Sequence, residues 1–445
     1  MIGPKKRPLT ADEILTLFKQ KQIDPGWSFE GATPSQTGKW THDFHRYPAK
    51  FIPQLVEKLI DEYVQTTDAH INDPFFGSGT TIVTAISRGM MASGTDINKV
   101  AYLMTKVKAT PLPPDVLSQK ISLLLDDLSD LESESTREKS PAIQPLIPSR
   151  HRDRIDYWFP ASQQEALGII LAMIAQTPEQ EFRNFFLVAF SHILKNCSIW
   201  LQTSTKPTRD IAKQPERPFA AFKRQLLKME RGNAEFYQVV PSHVRHNIEH
   251  YLHIKIGDAR HQPVPADSVD LIVSSSPYVT SYEYADLHQL STIWLDFADD
   301  LTEYKRDFIG TSHKAFDNQP LKSQIGQLIV DQMNSRSRKM AKEIGAFFWD
   351  MQQVFDESYR ILKPSGRCCY VIGDTRLKGI DILNAEVFAE SLQYSGFTLD
   401  RIIKRSIPSK ILPQKRDEKT GRFASTRAAN SEAYPYEFIV IGLKE

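Results

Sequence analysis

The stretch of sequence that decides the fold runs from residue 69 to residue 98 and reads AHINDPFFGSGTTIVTAISRGMMASGTDIN. Its first part, residues 69–74, predicts a short strand that leads into a glycine-rich turn. Residues 80–88 then have the apolar spacing of a helix, and residues 91–96 predict a second short strand. The succession of strand, turn, helix and strand is typical of the opening of an open α/β sheet.

The glycine-rich turn has features that suit a small ligand. Gly77 and Gly79 permit backbone angles and a close approach that a side chain would block. Asp73, at the end of the first strand, suits an ammonium or sulfonium group better than a phosphate, and no lysine follows the glycines as a P-loop requires. Asp96 ends the second strand, where nucleoside-binding α/β folds place a carboxylate that accepts hydrogen bonds from ribose hydroxyls.

Composition limits the class of protein. The chain has 445 residues, which at about 150 residues per domain predicts two to three domains. No stretch approaches the ~20 apolar residues of a membrane span, and the basic start lacks the apolar segment of a secretory signal. Only three cysteines are present, which does not support a disulfide framework, so a reducing, cytoplasmic setting is expected.

Beyond residue 110 the pattern becomes helical and later returns to α/β. Residues 129–149 are polar and predict a linker or exposed loop, whereas residues 150–244 have amphipathic helical spacing. The α/β pattern then resumes, with elements expected at 251–256, 269–274, 347–362, 367–373, 385–395 and 437–443, and a turn at 363–366. The sequence therefore predicts an α/β domain split by a mostly helical insert. Its three parts are residues 1–110, a linker and insert at 111–250, and a second half at 251–445.

These motifs together resemble those of the amino-methylating DNA methyltransferases, which act on cytosine N4 or adenine N6. Residues 73–81 look like the family's S-adenosylmethionine motif, and residues 45–53 resemble a second cofactor motif at the methionine end. Asp258 follows a predicted strand, where the family's acid contacts the adenine amino group. The resemblance implies a Rossmann-like fold and S-adenosylmethionine as cofactor. The implied cofactor-binding residues are Tyr47, Lys50, Phe51, Asp73, Phe75, Gly77, Gly79, Thr80, Thr81, Asp96, Ile97, Asp258 and Ala259.

Residues 275–278 resemble the family's catalytic Ser-Pro-Pro-Tyr motif, with Ser276 in place of the first proline. An exocyclic amine is a poor nucleophile because its lone pair is conjugated into the ring. The resemblance implies that the Ser275 hydroxyl and the Ser276 carbonyl accept its N–H groups, while Tyr278 stacks on a flipped base. Ser276 keeps a carbonyl but loses the fixed φ of proline, which predicts a softer loop. The candidate catalytic residues are Ser275, Ser276, Pro277 and Tyr278.

Two segments are basic, although the net charge of the chain is only +1. Residues 196–231 hold eight basic residues against three acids, and residues 401–427 hold nine against two. In families with this motif order, the segment between the two halves usually carries target recognition. The patches therefore predict phosphate contacts, with two solvated surface segments as the alternative. The candidate DNA-binding residues are Lys206, Arg209, Lys213, Arg217, Lys223, Arg224, Lys410, Lys415, Arg416 and Arg422.

The leading hypothesis is a cytosine-N4 DNA methyltransferase, because serine at the first position of the catalytic motif is associated with that target in the family. Adenine N6 stays open, since no physical argument excludes it. An RNA methyltransferase and a catalytically silent DNA-binding protein are further alternatives. The expected partner is duplex DNA, and a restriction endonuclease acting on the same site is a candidate second partner.

No membrane contact and no metal are expected. His243, His246, His250 and His253 have partly helical spacing, and one pair has the H-x-x-x-H pattern that can bind zinc. The predicted strand at 251–256 would break that shared helical face, and no cysteine lies nearby. These histidines are therefore not predicted to form a metal site.

Overall fold

A computed structural model describes residues 7–47, 52–132, 143–204, 206–279, 284–311, 319–407, 415–416, 431–432 and 436–445. The helices are α1 (Ala11–Gln20), α2 (Pro34–Thr37), α3 (Pro53–Tyr63), α4 (Thr80–Ser87), α5 (Lys99–Ala109), α6 (Pro114–Glu132), α7 (Arg152–Trp158), α8 (Ala161–Ala175), α9 (Gln180–Ile193), α10 (Pro218–Val239), α11 (Ser242–His246), α12 (Ile248–Tyr251), α13 (Tyr284–Leu287), α14 (Gln289–Trp294), α15 (Leu301–Arg306), α16 (Gln324–Asn334), α17 (Arg338–Ile361) and α18 (Asn384–Tyr394). The strands are β1 (His70–Asp73), β2 (Met91–Asp96), β3 (Leu252–Ile256), β4 (Val269–Ser275), β5 (Leu362–Ile372), β6 (Thr375–Leu377), β7 (Ile380–Ile382), β8 (Thr398–Ser406), β9 (Lys415–Arg416), β10 (Ser431–Glu432) and β11 (Tyr436–Leu443).

The main sheet has seven strands in the order β3-β2-β1-β4-β5-β11-β8. Strands β1 to β5 pair in parallel, whereas β11 runs antiparallel to both β5 and β8. The chain places β2 and β3 on one side of β1 and then crosses to place β4 and β5 on the other side. In open α/β sheets, ligands bind outside the carboxyl ends of the strands at such a reversal. The predicted α/β fold is confirmed, and the reversal between β1 and β4 is where a site is expected.

Helices cover both faces of the sheet because alternate side chains of its strands are apolar on either side. In β5, Cys369 and Val371 belong to the hydrophobic cluster on one face, and Cys368, Tyr370 and Ile372 to the cluster on the other. This two-residue alternation is the geometry of an extended strand buried on both sides. The sheet is therefore a central layer between two layers of helices.

The predicted helical insert packs on the same face of the sheet as α3, α4 and α5. Its longest helix, α10, begins with Pro218, where a proline costs no hydrogen bond, and it packs against α6, α8 and α9. Phe222, Met229 and Phe236 of α10 are fully buried. Burial of each such side chain stabilises the fold by about 1.5–3 kcal/mol. The insert is therefore held to the first half of the α/β domain by a shared core.

Two predicted boundaries need correction. Residues 129–132 are the last turn of α6 rather than part of a linker, because the helix begins at Pro114 and continues past the predicted boundary. The predicted turn at 363–366 lies within β5: the pairing with β4 jumps from Leu362 to Arg367, so these residues form a bulge. Ser365 there has a φ of 68°, in the left-handed region.

The predictions had no counterpart for several elements, including α16 and the edge strand β8. Across the described ranges, no helix is both long and apolar enough to cross a membrane. Cys197, Cys368 and Cys369 are buried free thiols.

Candidate active site

A cleft with an empty volume of about 850 Å³ opens at the carboxyl ends of β1 to β4. It collects segments that lie far apart in the sequence, as expected where the strand order reverses. The described residues that line it are Tyr47, Pro74, Phe75, Phe76, Gly77, Ser78, Thr80, Asp96, Ile97, Asn98, Gly257, Asp258, Ala259, Ser275, Ser276, Pro277, Tyr278, Asp307, Phe308 and Ile309. The candidate cofactor residues and the candidate catalytic residues thus share one cleft.

The two glycines of the turn have different roles. Gly77 lines the cleft with a φ of 47°, and a Cβ there would lie 3.0 Å from the Tyr47 hydroxyl. Gly79 has a φ of 80° and caps α4, and a Cβ there would lie 2.7 Å from the Thr105 hydroxyl oxygen. Gly79 is not in the cleft lining. It is needed for the start of α4 and its packing against α5, so its predicted ligand contact is not seen.

Asp96 ends β2 at the cleft wall. Its carboxylate accepts the backbone N–H groups of Gly77, at 2.9 Å, and Asn98, at 2.8 Å. Burial raises the pKa of Asp96 to about 6. Each carboxylate oxygen can accept two hydrogen bonds, so the group is fixed in place by two donors and retains acceptor capacity for ligand hydroxyls.

Asp73 and Thr81 differ from the prediction, because neither lines the cleft. Asp73 is 1% exposed, and its Oδ1 accepts the Ser274 hydroxyl at 2.7 Å and the Phe75 N–H at 3.1 Å. Burial raises its pKa to about 7. The Thr81 hydroxyl donates to the Val273 carbonyl at 3.0 Å. Both side chains contact β4 rather than the cleft.

Asp258 follows β3 and lines the cleft beside Ala259, as predicted. Arg260 holds its carboxylate at 2.6 Å and also binds Asp350 at 2.7 Å. Although partial burial opposes it, hydrogen bonding from Arg260 lowers the pKa of Asp258. Asp258 is therefore a carboxylate of fixed orientation that can accept a hydrogen bond from an amine.

The candidate catalytic residues occupy the end of β4 and the loop after it. Ser275 is the last residue of the strand, and Ser276, Pro277 and Tyr278 continue along the cleft wall. Ser276 is 1% exposed, and its hydroxyl has no hydrogen-bond partner among the residues that the structure describes. The loop thus retains hydrogen-bonding capacity that the described protein does not use.

Sequence reasoning missed part of the wall. Asn98 caps α5 by accepting the Val100 N–H at 2.9 Å, a capping pattern that the sequence could have indicated. The Tyr304 hydroxyl of α15 donates to the Asn98 side chain at 3.2 Å, and Asp307, Phe308 and Ile309 line the cleft nearby. No local pattern marked residues 301–309, because only the tertiary structure brings them to the turn after β2.

Tyr47 completes the wall, with a histidine cluster behind it. Its ring lies 5.1 Å from that of His288, and His288 lies 6.0 Å from His45. Burial lowers the pKa of His45 to about 4 and that of His288 to about 3, so both are neutral at physiological pH. The other two predicted residues of this motif, Lys50 and Phe51, lie outside the described residues.

The cleft fits S-adenosylmethionine in its chemistry. It has a glycine where a Cβ would narrow the space beneath Tyr47, and carboxylates at Asp96 and Asp258 that can accept hydroxyl and amino hydrogens. The family model described as DNA methylase, for N6 and N4 methyltransferases, matches residues 5–106. The chain is 27% identical to the type II methyltransferase M.MvaI of Kocuria varians over 426 residues, covering 91% of this chain and 92% of that protein.

These matches support a DNA methyltransferase of the N6/N4 type, as the resemblance predicts. The prediction of S-adenosylmethionine as the cofactor is confirmed by the match to this type of methyltransferase. A shorter match links the methyltransferase to M.MjaII of Methanocaldococcus jannaschii, at 37% identity over 87 residues, 20% of this chain and 16% of that one. A solved SAM-dependent methyltransferase from Methanosarcina mazei aligns with a TM-score of 0.29 and 10% identity, over 90% of this chain and 98% of that one.

The candidate DNA-binding residues of the methyltransferase differ in what they contact. Lys206, Arg209, Arg217 and Lys223 are exposed. Lys213 instead donates to the carbonyls of residues 195 and 200, at 2.7 and 2.8 Å, and so braces its own loop. Arg224 pairs with Glu216. Lys410 and Arg422 lie outside the described residues, and Lys415 and Arg416 are placed only as the backbone of β9.

Three other residues in the basic segments have structural positions. Trp200 and Phe222 are buried at 2% and 0% exposure, so both rings belong to the hydrophobic core. Arg405 is buried and pairs with Glu437 at 2.5 Å while donating to the Trp27 carbonyl at 2.7 Å. Part of the positive charge counted in the sequence therefore serves the fold.

Within the described ranges of the methyltransferase, no group of three or more His, Cys, Asp or Glu side chains could hold a metal ion. His246 lies in α11 and contacts the Ser242 carbonyl at 2.8 Å, whereas His250 lies in α12 and His253 in β3. The two short helices and the strand separate these side chains, which sequence spacing alone places on a common face.

Proposed function

We propose that this methyltransferase transfers a methyl group from S-adenosylmethionine to the exocyclic N4 of cytosine in duplex DNA. The observation that carries the proposal is the shared cleft, whose lining includes Ser275 to Tyr278 together with Gly77 of the glycine turn and Asp96. Nothing in the described geometry requires a covalent protein intermediate, because amine and methyl donor can be aligned directly. Alignment of this kind can supply much of the rate enhancement.

The cofactor supplies an electrophilic methyl group when it is bound. The residues of the chain would prepare the amine. The Ser275 hydroxyl and the Ser276 carbonyl would accept the two N–H groups of the amine, so that its lone pair points away from the ring and towards the methyl group. As the new N–C bond forms, the methyl–sulfur bond breaks, and the nitrogen returns to neutrality by losing a proton to solvent. Acceptors held in place before the reaction cost no reorganisation when charge develops.

The target base would have to leave the duplex, because the amine cannot reach the end of β4 while it is stacked. Tyr278 lines the cleft directly after Pro277 and offers a ring on which a flipped base can stack. Base–aromatic stacking contributes roughly 1–3 kcal/mol, comparable with the few kcal/mol that flipping costs. Flipping by this enzyme is therefore energetically accessible.

The DNA backbone would follow a path from the cleft to the insert. Arg46 adjoins the cleft residue Tyr47, is exposed, and donates to Asn196 at 2.9 Å. Beyond Asn196 lie the exposed cations Lys206, Arg209 and Arg217, with the Arg209 guanidinium 4.5 Å from the centre of the Tyr157 ring. These exposed cations support phosphate binding alongside a base in the cleft.

Salt dependence of DNA binding tests that path. Each lost phosphate contact should reduce the slope of log K against log salt by about 0.9. Arg217→Gln with Lys223→Gln should therefore reduce the slope by roughly 1–2, whereas Lys339→Gln, on the exposed start of α17, should leave it unchanged. An unaltered slope in the double variant would show that the DNA does not contact these two residues and must bind another face of the protein.

A restriction–modification role is the biological setting that we propose. M.MvaI, which aligns with nearly the whole chain, is a type II methyltransferase. Methylation by this enzyme would then protect one short sequence from a companion endonuclease. Digestion of methylated and unmethylated plasmid with restriction enzymes would identify that sequence.

The decisive experiment uses tritiated S-adenosylmethionine, mixed-sequence duplex DNA and digestion to nucleosides. Label in N4-methylcytosine is the expected result. Label in N6-methyladenine would replace the proposed target and keep the mechanism. Label in tRNA but not in duplex DNA would overturn the substrate, and cofactor binding with no label anywhere would indicate a silent DNA-binding protein.

A further inference from the structure

We infer that Asp73, which the sequence marks as a cofactor ligand, is instead a positioning residue that acts through Ser274. Together with Thr81, it fixes the position of Ser275 at the end of β4. The inference rests on the proposed function in one respect only: it takes residues 275–278 as the place of methyl transfer. It does not depend on which base is methylated.

The first step concerns how β1 and β4 are joined. Their backbone pairing covers Ile71 with Leu271 and Asn72 with Ile272, and it ends there. The strands must separate beyond this point, because the cleft opens between their carboxyl ends. The next connection is made by side chains: the Ser274 hydroxyl donates to Asp73 Oδ1 at 2.7 Å.

A second side chain holds the neighbouring residue. Thr81, in the first turn of α4, donates its hydroxyl to the Val273 carbonyl at 3.0 Å. Consecutive residues of β4 are thus each tied to the segment around the glycine turn. On its other side, β4 keeps its backbone pairing with β5 as far as Ser275 and Val371. The last strand residues before the catalytic loop are therefore held from both sides, by backbone on one and by Asp73 and Thr81 on the other.

The position of Asp73 argues against direct cofactor contact. The side chain is 1% exposed and is absent from the described lining of the cleft. Its Oδ1 already accepts two donors, from Ser274 and Phe75. The burial of the side chain and these two donors leave little access for an ammonium group. Asp73 is hydrogen-bonded both to the turn, at Phe75, and to β4, at Ser274. It therefore links the position of the proposed cofactor turn to that of the catalytic loop.

The coupling matters because methyl transfer depends on distance and direction. A misplacement of about 1 Å at a reacting centre can cost ~100-fold in rate. Loss of the Asp73–Ser274 bond should therefore lower kcat, while the residues that face the cofactor stay in place. A cofactor ligand would behave in the opposite way, since its loss weakens cofactor binding first.

The test measures total tritium transferred to duplex DNA, whatever the base, together with cofactor affinity by calorimetry. For Asp73→Ala and Ser274→Ala we expect kcat to fall roughly 10–100-fold, with the cofactor Kd within about twofold of the wild type. Asp73→Asn should restore most of kcat, because its amide oxygen can accept both donors. Thermal unfolding of each variant shows whether the fold is kept.

Two outcomes would overturn the inference. If Asp73→Ala and Asp73→Asn both raise the cofactor Kd more than tenfold while Ser274→Ala is normal, Asp73 is a cofactor ligand. If Ser274→Ala keeps full kcat, the bond does not position the loop, and this variant decides the question even where Asp73→Ala fails to fold. Label in adenine instead of cytosine would refute only the proposed target, so the two failures are distinguishable.

Discussion

The cofactor turn, residues 73–81, and the catalytic loop, residues 275–279, both contribute residues to the wall of one cleft and are stabilised differently. In the turn, the carboxylates of Asp73 and Asp96 accept backbone N–H groups of the turn and of the segment after β2. In the loop, the Ser276 hydroxyl is buried and has no partner within the described residues. The turn is fixed by its own hydrogen bonds, whereas the loop contains a buried hydroxyl with no partner in the described part of the chain.

This difference suggests a division of labour. A turn whose carboxylates are already fixed by backbone donors can bind a small cofactor without reorganising, which lowers the free-energy cost of binding. A loop that contains a buried hydroxyl without a described partner is destabilised in the free enzyme, and its proposed acceptors serve the substrate amine rather than the cofactor. Substitutions at the cofactor site and in the catalytic loop should therefore affect different steps, binding at one and transfer at the other.

The largest effect on transfer should come from Ser275→Ala, which removes the proposed hydroxyl acceptor from the catalytic loop. Removing one acceptor aimed at the reacting amine should lower kcat about 100- to 1000-fold, by analogy with other preorganised hydrogen-bonding groups. The cofactor Kd should stay near that of the wild type, because Ser275 ends β4, whereas Asp96, the proposed acceptor for ligand hydroxyls, ends β2. Single-turnover transfer and calorimetry on the same preparation separate the two quantities. A weakened cofactor with normal transfer would contradict the assignment of these two roles.

The matching change at the cofactor site is Asp96→Ala. It removes the acceptor that the Gly77 and Asn98 N–H groups share, and with it the acceptor for ligand hydroxyls. We expect the cofactor Kd to rise roughly 10- to 100-fold, while kcat at saturating cofactor falls only a few-fold. Asp96→Asn is the matched control and should lie between the two. A large loss of kcat at saturation would show that the two roles are not separable.

The buried carboxyl group of Asp73 should make the stability of the protein depend on pH, which gives a further test of its role. Its pKa in the folded protein, about 7, is above the ordinary value of 3.8 because of burial, and the nearby Asp96 adds to the shift. Tyr370 of β5 also lies within electrostatic range. The folded state therefore binds more protons than the unfolded state between about pH 4 and pH 7, and stability falls as the pH rises through that window.

Asp73→Asn removes this dependence. The variant should gain stability relative to the wild type on going from pH 5 to pH 8, by about 2–3 kcal/mol. Asp73→Asn therefore tests the cost of the charge separately from the geometry of the bond. Chemical denaturation at the two pH values measures it. A difference between variant and wild type that is the same at both values would mean that Asp73 does not titrate in the folded protein.

The smallest effect is expected for Ser276→Ala. Deleting a buried hydroxyl that has no described partner should raise the free energy of unfolding of the free enzyme by about 1 kcal/mol. Transfer should fall less than threefold, because the proposed acceptor at this position is the backbone carbonyl. Ser276→Pro is the companion variant, restoring the proline of the family motif. A loss of transfer in Ser276→Ala as large as that in Ser275→Ala would assign the hydroxyl itself to the substrate.

Much of the cofactor half could be predicted because its signals are local. The bounds of β2 agree with the predicted strand at residues 91–96, and α4 ends one residue before the end of the helix predicted at residues 80–88. Glycines at a strand-to-helix turn and a carboxylate at the next strand end are patterns within a few consecutive residues. The resemblance at residues 275–278 likewise depended on four neighbours in sequence.

The sequence by itself determined the α/β order, the glycine turn, and the carboxylate and serines that meet in the cleft. Only the tertiary structure decided that Asp73 and Thr81 contact β4, that Arg405 is buried, and that residues 307–309 complete the wall. The physical reason is that a local pattern fixes the type of element and the residues at its end. Which neighbour a side chain meets there depends on the order of the strands and the packing of distant helices.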